Sequence, residues 1–157
     1  MTPSTAFAAL SAELREMELS YIWRGHGSAL FAEFGPLTPS TRRDDSPGIP
    51  RGVISLGIEW SWRIEHVDTI ICGSASSEEK WQLAFDLLLG SRVADLDLVG
   101  AIPEIMLTTT DGHRVLSFCP TDGQPLWYLI DQRPPVPRWF SIRRGRMHLG
   151  DGSELRE

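Results

Sequence analysis

The chain has 157 residues, 41% of them hydrophobic and 23% charged, with a formal net charge of −6. That length suits one domain that buries roughly 68–70% of the surface of its unfolded chain, and the composition excludes collagen-like, coiled-coil and wholly disordered chains. Acids outnumber bases 21 to 15, so the whole-protein field repels phosphate backbones and no nucleic-acid partner is expected.

From the N-terminus, Phe7, Leu10, Leu14 and Met17 recur at three- and four-residue steps, the spacing of one helix face. Thr2 suits the N-cap and Pro3 the first helical position, so a helix is predicted over 3–17. A strand follows at 20–23, a turn at Gly25-His26-Gly27, and a returning strand at 29–34. From 35 to 52 the chain turns polar and rich in proline, with Pro36, Pro39, Pro47 and Pro50 among Ser, Arg and Asp. This segment is read as a long flexible loop rather than a domain boundary, because the helix and hairpin before it are too small to bury a core alone.

Residues 53–60 and 62–72 read as two strands. Alternation puts Ile54, Leu56, Ile58 and Trp60 on the buried face. Ser76-Ser77-Glu78-Glu79 is a capping-box pattern with Ser76 as N-cap, and Trp81, Phe85 and Leu88 then share one face up to Gly90. A second helix is predicted over about 77–89.

The remainder is β in character. A strand over 92–99 precedes a hairpin, 104–110 and 113–118, whose Asp111-Gly112 turn suggests type I′. Pairing outward from that turn sets Leu107 opposite Leu116 and Ile105 opposite Phe118. Further strands are predicted at 126–130 and 138–143, with a frayed acidic tail over 150–157. The order of elements shows no βαβ rhythm. The expected fold is therefore α+β: one domain over 1–157, with mostly antiparallel, bent sheets of about eight or nine strands and two helices.

No apolar run approaches the ~20 residues of a membrane-spanning helix. The start, Met-Thr-Pro-Ser-Thr with Glu13, Arg15 and Glu16 soon after, lacks the basic and apolar regions of a secretory signal. Cys72 and Cys119 sit in apolar, strand-like runs and read as reduced, buried thiols. A cytoplasmic protein with no membrane partner is expected. Fourteen of the fifteen basic residues are arginine, and Lys80 is the single lysine; its place on an exposed helical turn argues against lysine-based chemistry.

Catalytic patterns are missing from the sequence. Gly25-His26-Gly27-Ser28 leads into a strand, so no helix N-terminus faces a phosphate. Ser74 and Ser76 are explained by helix capping, and no nucleophile elbow surrounds them. At a strand's ~3.3 Å rise, His113 and Cys119 stand about 20 Å apart, too far for a dyad. His26, His66, His113 and His148 have no metal-ligand spacing, and Glu59, Glu65, His66 and Asp68 read as a solvated polar edge. No catalytic residue, metal or cofactor is expected.

Two segments carry recognition chemistry. In Glu59-Trp60-Ser61-Trp62-Arg63-Ile64-Glu65, Trp60 and Trp62 share parity, and Arg63 and Glu65 form a pair on the opposite face. Core tryptophans are the simpler explanation; an aromatic platform with a rigid arginine is the functional one. In the second, Trp139 and Arg143 lie in a run of arginines and aromatics over 138–146, which either guards a sheet edge or docks an acidic group.

The residues Glu33-Phe34-Gly35, Trp62-Arg63-Ile64-Glu65, Leu88-Leu89-Gly90 with Val93, the Asp111-Gly112 hairpin with Phe118, and Trp127 resemble a widespread set of short bacterial α+β proteins marked by a WRIE strand and a DG hairpin. The resemblance spans about 18–145. It implies an α+β fold and a bacterial cytoplasmic setting, with no assigned activity to carry over. The leading helix and the 35–52 insert depart from the usual shorter pattern.

The expected function is a non-catalytic interaction module that binds another protein or a second copy of itself as a homodimer. An immunity-like neutraliser of a basic toxin would fit its charge. Binding is assigned to Trp60, Trp62, Arg63, Glu65, His66, Trp139 and Arg143. The alternative is a small-molecule binder or enzyme with a pocket near Trp60, Trp62, Arg63 and His66.

Overall fold

The computed structural model describes residues 1–153. Helix α1 (Pro3–Leu14) is followed by strands β1 (Leu19–Arg24), β2 (Leu30–Phe34), β3 (Ile54–Ile58), β4 (Trp62–His66) and β5 (Thr69–Gly73), then helix α2 (Glu78–Leu88). The chain continues through β6 (Val93–Val99), β7 (Glu104–Thr109), β8 (His113–Ser117), β9 (Trp127–Asp131), β10 (Arg138–Arg143) and β11 (Arg146–Gly150). The fold is α+β, as expected, but the described residues form eleven strands rather than eight or nine. All pairings are antiparallel, in a six-stranded sheet of order β1-β2-β3-β9-β10-β11 and a five-stranded sheet of order β5-β4-β8-β7-β6.

The inner faces of both sheets and one stripe of each helix share a single core. Helix α1 packs against β11 and β6, one edge strand from each sheet, and α2 packs against β1 and β5, the other two edges. Each helix thus closes one open side of the sandwich, which covers sheet edges as well as apolar faces. Phe7 of α1 contacts Trp127 and Phe140 at ring-centroid distances of 6.0 and 5.9 Å. On the other side, Trp81 and Phe85 of α2 lie 5.6 and 6.2 Å from Trp62.

Several boundaries differ from expectation for local reasons. Thr2 caps α1 as predicted, its hydroxyl accepting from the Thr5 N–H at 3.1 Å. The helix stops at Leu14 rather than 17, because Glu16 adopts φ 67° and donates its N–H to Val93 O. In α2 the cap is Ser77, not Ser76; Ser76 Oγ instead accepts from the Gly73 N–H at 3.0 Å.

The single strand predicted over 62–72 is a hairpin. Val67 takes φ 56° and turns the chain between β4 and β5, a conformation that β-branched residues resist and that periodicity therefore hides. The Asp111-Gly112 turn is also not type I′. Only Gly112 has positive φ, and its N–H donates to Thr109 O at 3.0 Å, so three residues make the reversal. That extra residue shifts the register: Leu107 pairs with Val115 and Met106 with Leu116. Phe118 falls beyond β8, exposed.

Strand β11 is the unforeseen element. Arg144 and Gly145, at φ 50° and 73°, form a two-residue reversal that pairs Arg143 with Arg146 and Phe140 with Leu149. The tail predicted over 150–157 begins where β11 ends, and its residues 154–157 lie outside the described residues.

Residues 35–52 form neither helix nor strand, yet they are tied across. Thr38 and Arg51 exchange backbone hydrogen bonds at 2.7 and 3.0 Å, and a second bridge joins Thr41 to Pro47. The segment is an arm that leaves β2, doubles back and re-enters at β3. Both cysteines are free; Cys72 is buried in β5, while Cys119 lies outside any strand and is only half-buried. Among the described residues, no helix is long and apolar enough to cross a membrane.

Candidate functional sites: a tryptophan knob and an aromatic cleft

The structure separates the residues that sequence reasoning had grouped. Trp62 is a core residue, 1% exposed, and its indole N–H donates to Ser28 O at 2.6 Å. Trp60 lies in the β3–β4 connection with φ 71° and is 67% exposed. The expectation that Trp60 joins Ile54, Leu56 and Ile58 on the buried face, beside Trp62, is overturned. Alternation ends at Ile58, and the left-handed turn points Trp60 outward.

This turn is held firmly. Ser28 Oγ donates to Trp60 O at 2.6 Å, Glu59 N–H to Leu126 O at 2.8 Å, and Phe118 N–H to Ser61 O at 3.1 Å. Beside Trp60, a cavity of about 380 Å³ is lined by Glu59, Phe118, Cys119, Pro120 and Leu126. Left-handed backbone is costly for a non-glycine residue, and here it displays the largest side chain on an apolar surface.

Arg63, Glu65 and His66 belong to other environments. On the outer face of the five-stranded sheet, Glu65 accepts from Arg63 Nε at 2.7 Å and from the cross-strand Arg114 Nε at 2.8 Å. Arg114, then Arg63, hold the Glu65 carboxyl below its ordinary range against the opposing effect of burial. His66 stacks on its β8 partner His113 at 4.4 Å, with Nε2 3.2 Å from Asp111 O. Trp60, Trp62, Arg63 and His66 therefore do not line one cavity. Among the described residues, no group of three or more His, Cys, Asp or Glu side chains could hold a metal ion.

A second site was not foreseen. Strand pairing sets Trp23 beside Phe31, Phe31 beside Gly57, and Gly57 beside Tyr128 on the outer face of the six-stranded sheet. Trp23 stacks on Phe31 at 4.3 Å, and Trp139 follows Tyr128 at 5.0 Å. The adjacent cross-strand row runs Glu33, Ser55, Ile130, Trp139. With the 35–52 arm, these rows enclose a cleft of about 550 Å³.

Glu33 is the unusual member of this cleft. It is 4% exposed, and its Oε2 accepts from Ser55 Oγ and from the Gly52 N–H at 3.2 Å. Gln132 supports Ser55 by donating to its Oγ at 3.1 Å. Burial raises the Glu33 carboxyl above its ordinary range, and these hydrogen bonds offset only part of that effect. The Trp23 indole N–H lies near enough to favour the ionised form, but makes no hydrogen bond of ordinary geometry. Tyr128 is pushed up by burial and then by Glu59, so its hydroxyl stays protonated.

Of the sequence-assigned residues, Trp139 lines this cleft, and Arg143 stands at the far, turn end of β10. The missed residues had a signal. Trp23, Phe31 and Glu33, and Tyr128 all occupy alternate positions that the apolar core residues leave empty. Seeing them as one surface required the strand order, which joins β3 to β9 across the five-stranded sheet's entire sequence span. No protein-family model, curated protein or solved structure matches this chain.

Proposed function

We propose that this protein is a non-catalytic interaction module that docks a basic protein through Trp60, as an immunity protein neutralises a basic toxin. The observation that supports this reading most is the exposed Trp60 side chain on a hydrogen-bonded, left-handed turn. A backbone fixed in place presents the indole at a set point, and a large amphipathic ring can bury much area on binding, which is why tryptophan is enriched at interface hot spots. Phe118, Pro120 and Leu126 supply apolar surroundings, while Glu59 and the net charge of −6 favour a cationic partner.

The proposal includes a cytoplasmic, bacterial setting, which the two free thiols support. Native mass spectrometry of the protein purified gently from its host tests it. The expected species is a complex with a basic protein, lost on Trp60→Ala while the melting temperature holds. Free monomer, a homodimer alone, or a complex indifferent to Trp60→Ala would overturn this reading.

A further inference from the structure

The aromatic cleft has a polarity of its own. Glu33 lies deep within it, and no described cation touches the carboxyl; Arg51 acts on it only at longer range. Its Oε2 is occupied by Ser55 and Gly52, and beyond these neutral donors only the Trp23 indole N–H lies near enough to favour the ionised form. A buried carboxylate without a counter-charge is costly. Protein interiors normally avoid that arrangement, so its presence on a cavity wall leaves room for a cation from outside.

The walls suit such a cation. Trp23, Phe31, Tyr128 and Trp139 are half-buried and contiguous, and the electron-rich faces of aromatic rings attract organic ammonium and guanidinium groups. The mouth carries two arginines beside one exposed carboxylate, Asp151. Arg42 and Arg51 are exposed there and form no ion pair with a described carboxylate. A ligand carrying only positive charge would meet them unfavourably on entry. One with a negative end would satisfy both regions, and about 550 Å³ lies within the usual range for a small-molecule site.

We propose that this cleft binds a small zwitterion, its quaternary ammonium or guanidinium head among the four rings against Glu33 and its carboxylate or phosphate at Arg42 and Arg51. This site is separate from the Trp60 surface and does not depend on the docking function.

Isothermal titration of the full chain with glycine betaine, phosphocholine and L-arginine tests the assignment, with tetramethylammonium and inorganic phosphate as single-charge probes. Saturable binding of at least one zwitterion is expected, at least about tenfold tighter than either single-charge probe. Glu33→Gln should weaken it by about tenfold or more, and so should the exposed pair Arg42→Ala/Arg51→Ala, which does not touch the core. Trp60→Ala should leave it unchanged, so failure here is distinguishable from failure of the docking proposal. Absence of saturation with all three zwitterions would overturn the inference. Equal binding of inorganic phosphate, or full affinity in the arginine double variant, would do the same whether or not Glu33→Gln folds.

Discussion

Phe31 and Tyr128 meet over Gly57, their ring centroids 6.1 Å apart across the central strand of the six-stranded sheet. A Cβ at position 57 would stand 2.2 Å from Tyr128 Cε2 and 2.9 Å from Phe31 Cε1. The glycine, ordinarily a weakness inside a strand, is what lets two aromatic rings close the row that runs on to Trp23 and Trp139. Gly57→Ala should therefore cost about 1–3 kcal/mol, the range for overpacked sites, despite alanine's better strand entropy. Urea denaturation checks this, and a stability equal to or above wild type would show that the rings separate freely.

The two tryptophans of the Trp60-Ser61-Trp62 segment should respond oppositely to truncation. Trp62→Ala opens a cavity between Trp81 and Phe85 and should destabilise by about 3–5 kcal/mol. Trp60→Ala removes a side chain that packs little and should stay within about 0.5 kcal/mol of wild type. Thermal or chemical denaturation of the pair decides it; comparable losses would mean Trp60 packs in solution.

Asp131 should make stability sensitive to acid. Its side chain is 3% exposed. Burial alone would raise its pKa, but Arg133, at 2.9 Å, and Arg138, at 3.1 Å, more than compensate and hold it below its usual range. A carboxyl whose folded pKa is depressed contributes stability that is complete above its unfolded pKa and is lost as pH falls through the folded value. Asp131→Asn should thus cost about 1–3 kcal/mol at neutral pH. The gap to wild type should narrow below the ordinary aspartate range, near pH 3.8, in denaturation curves measured at successive pH values. A gap that is independent of pH would rule out the charge as its cause.

The Glu65–Arg114 pair is only partly shielded, with Arg114 30% and Glu65 16% exposed. Its coupling energy in a double-mutant cycle with Glu65→Gln and Arg114→Met should be about 0.5–1 kcal/mol, and should shrink when salt is raised. Coupling above that range that is unaffected by salt would indicate a desolvated network centred on Glu65.

The sequence by itself determined the elements whose signal is local. Thr2-Pro3 and the run from Trp81 to Leu88 specify two helices, because capping and a 3.6-residue apolar stripe need no distant partner. Alternation specified most strands and put Ile54, Leu56, Ile58 and Trp62 in the core. It failed at Trp60 and Val67, where the chain enters left-handed conformations that residue type did not announce, and at the Asp111-Gly112 turn, where one extra residue shifts the register.

Only the tertiary structure decided what lies on the outer faces. Glu33 and Ser55 flank a proline-rich arm, and Tyr128 and Trp139 lie far along the chain, beyond the whole five-stranded sheet. They form one cleft because β3 pairs with β2 on one side and β9 on the other. The same long-range pairing leaves Glu33 buried without a cationic partner. Strand order depends on how two sheets and two helices bury their apolar faces together, a collective energy that no short window of sequence contains.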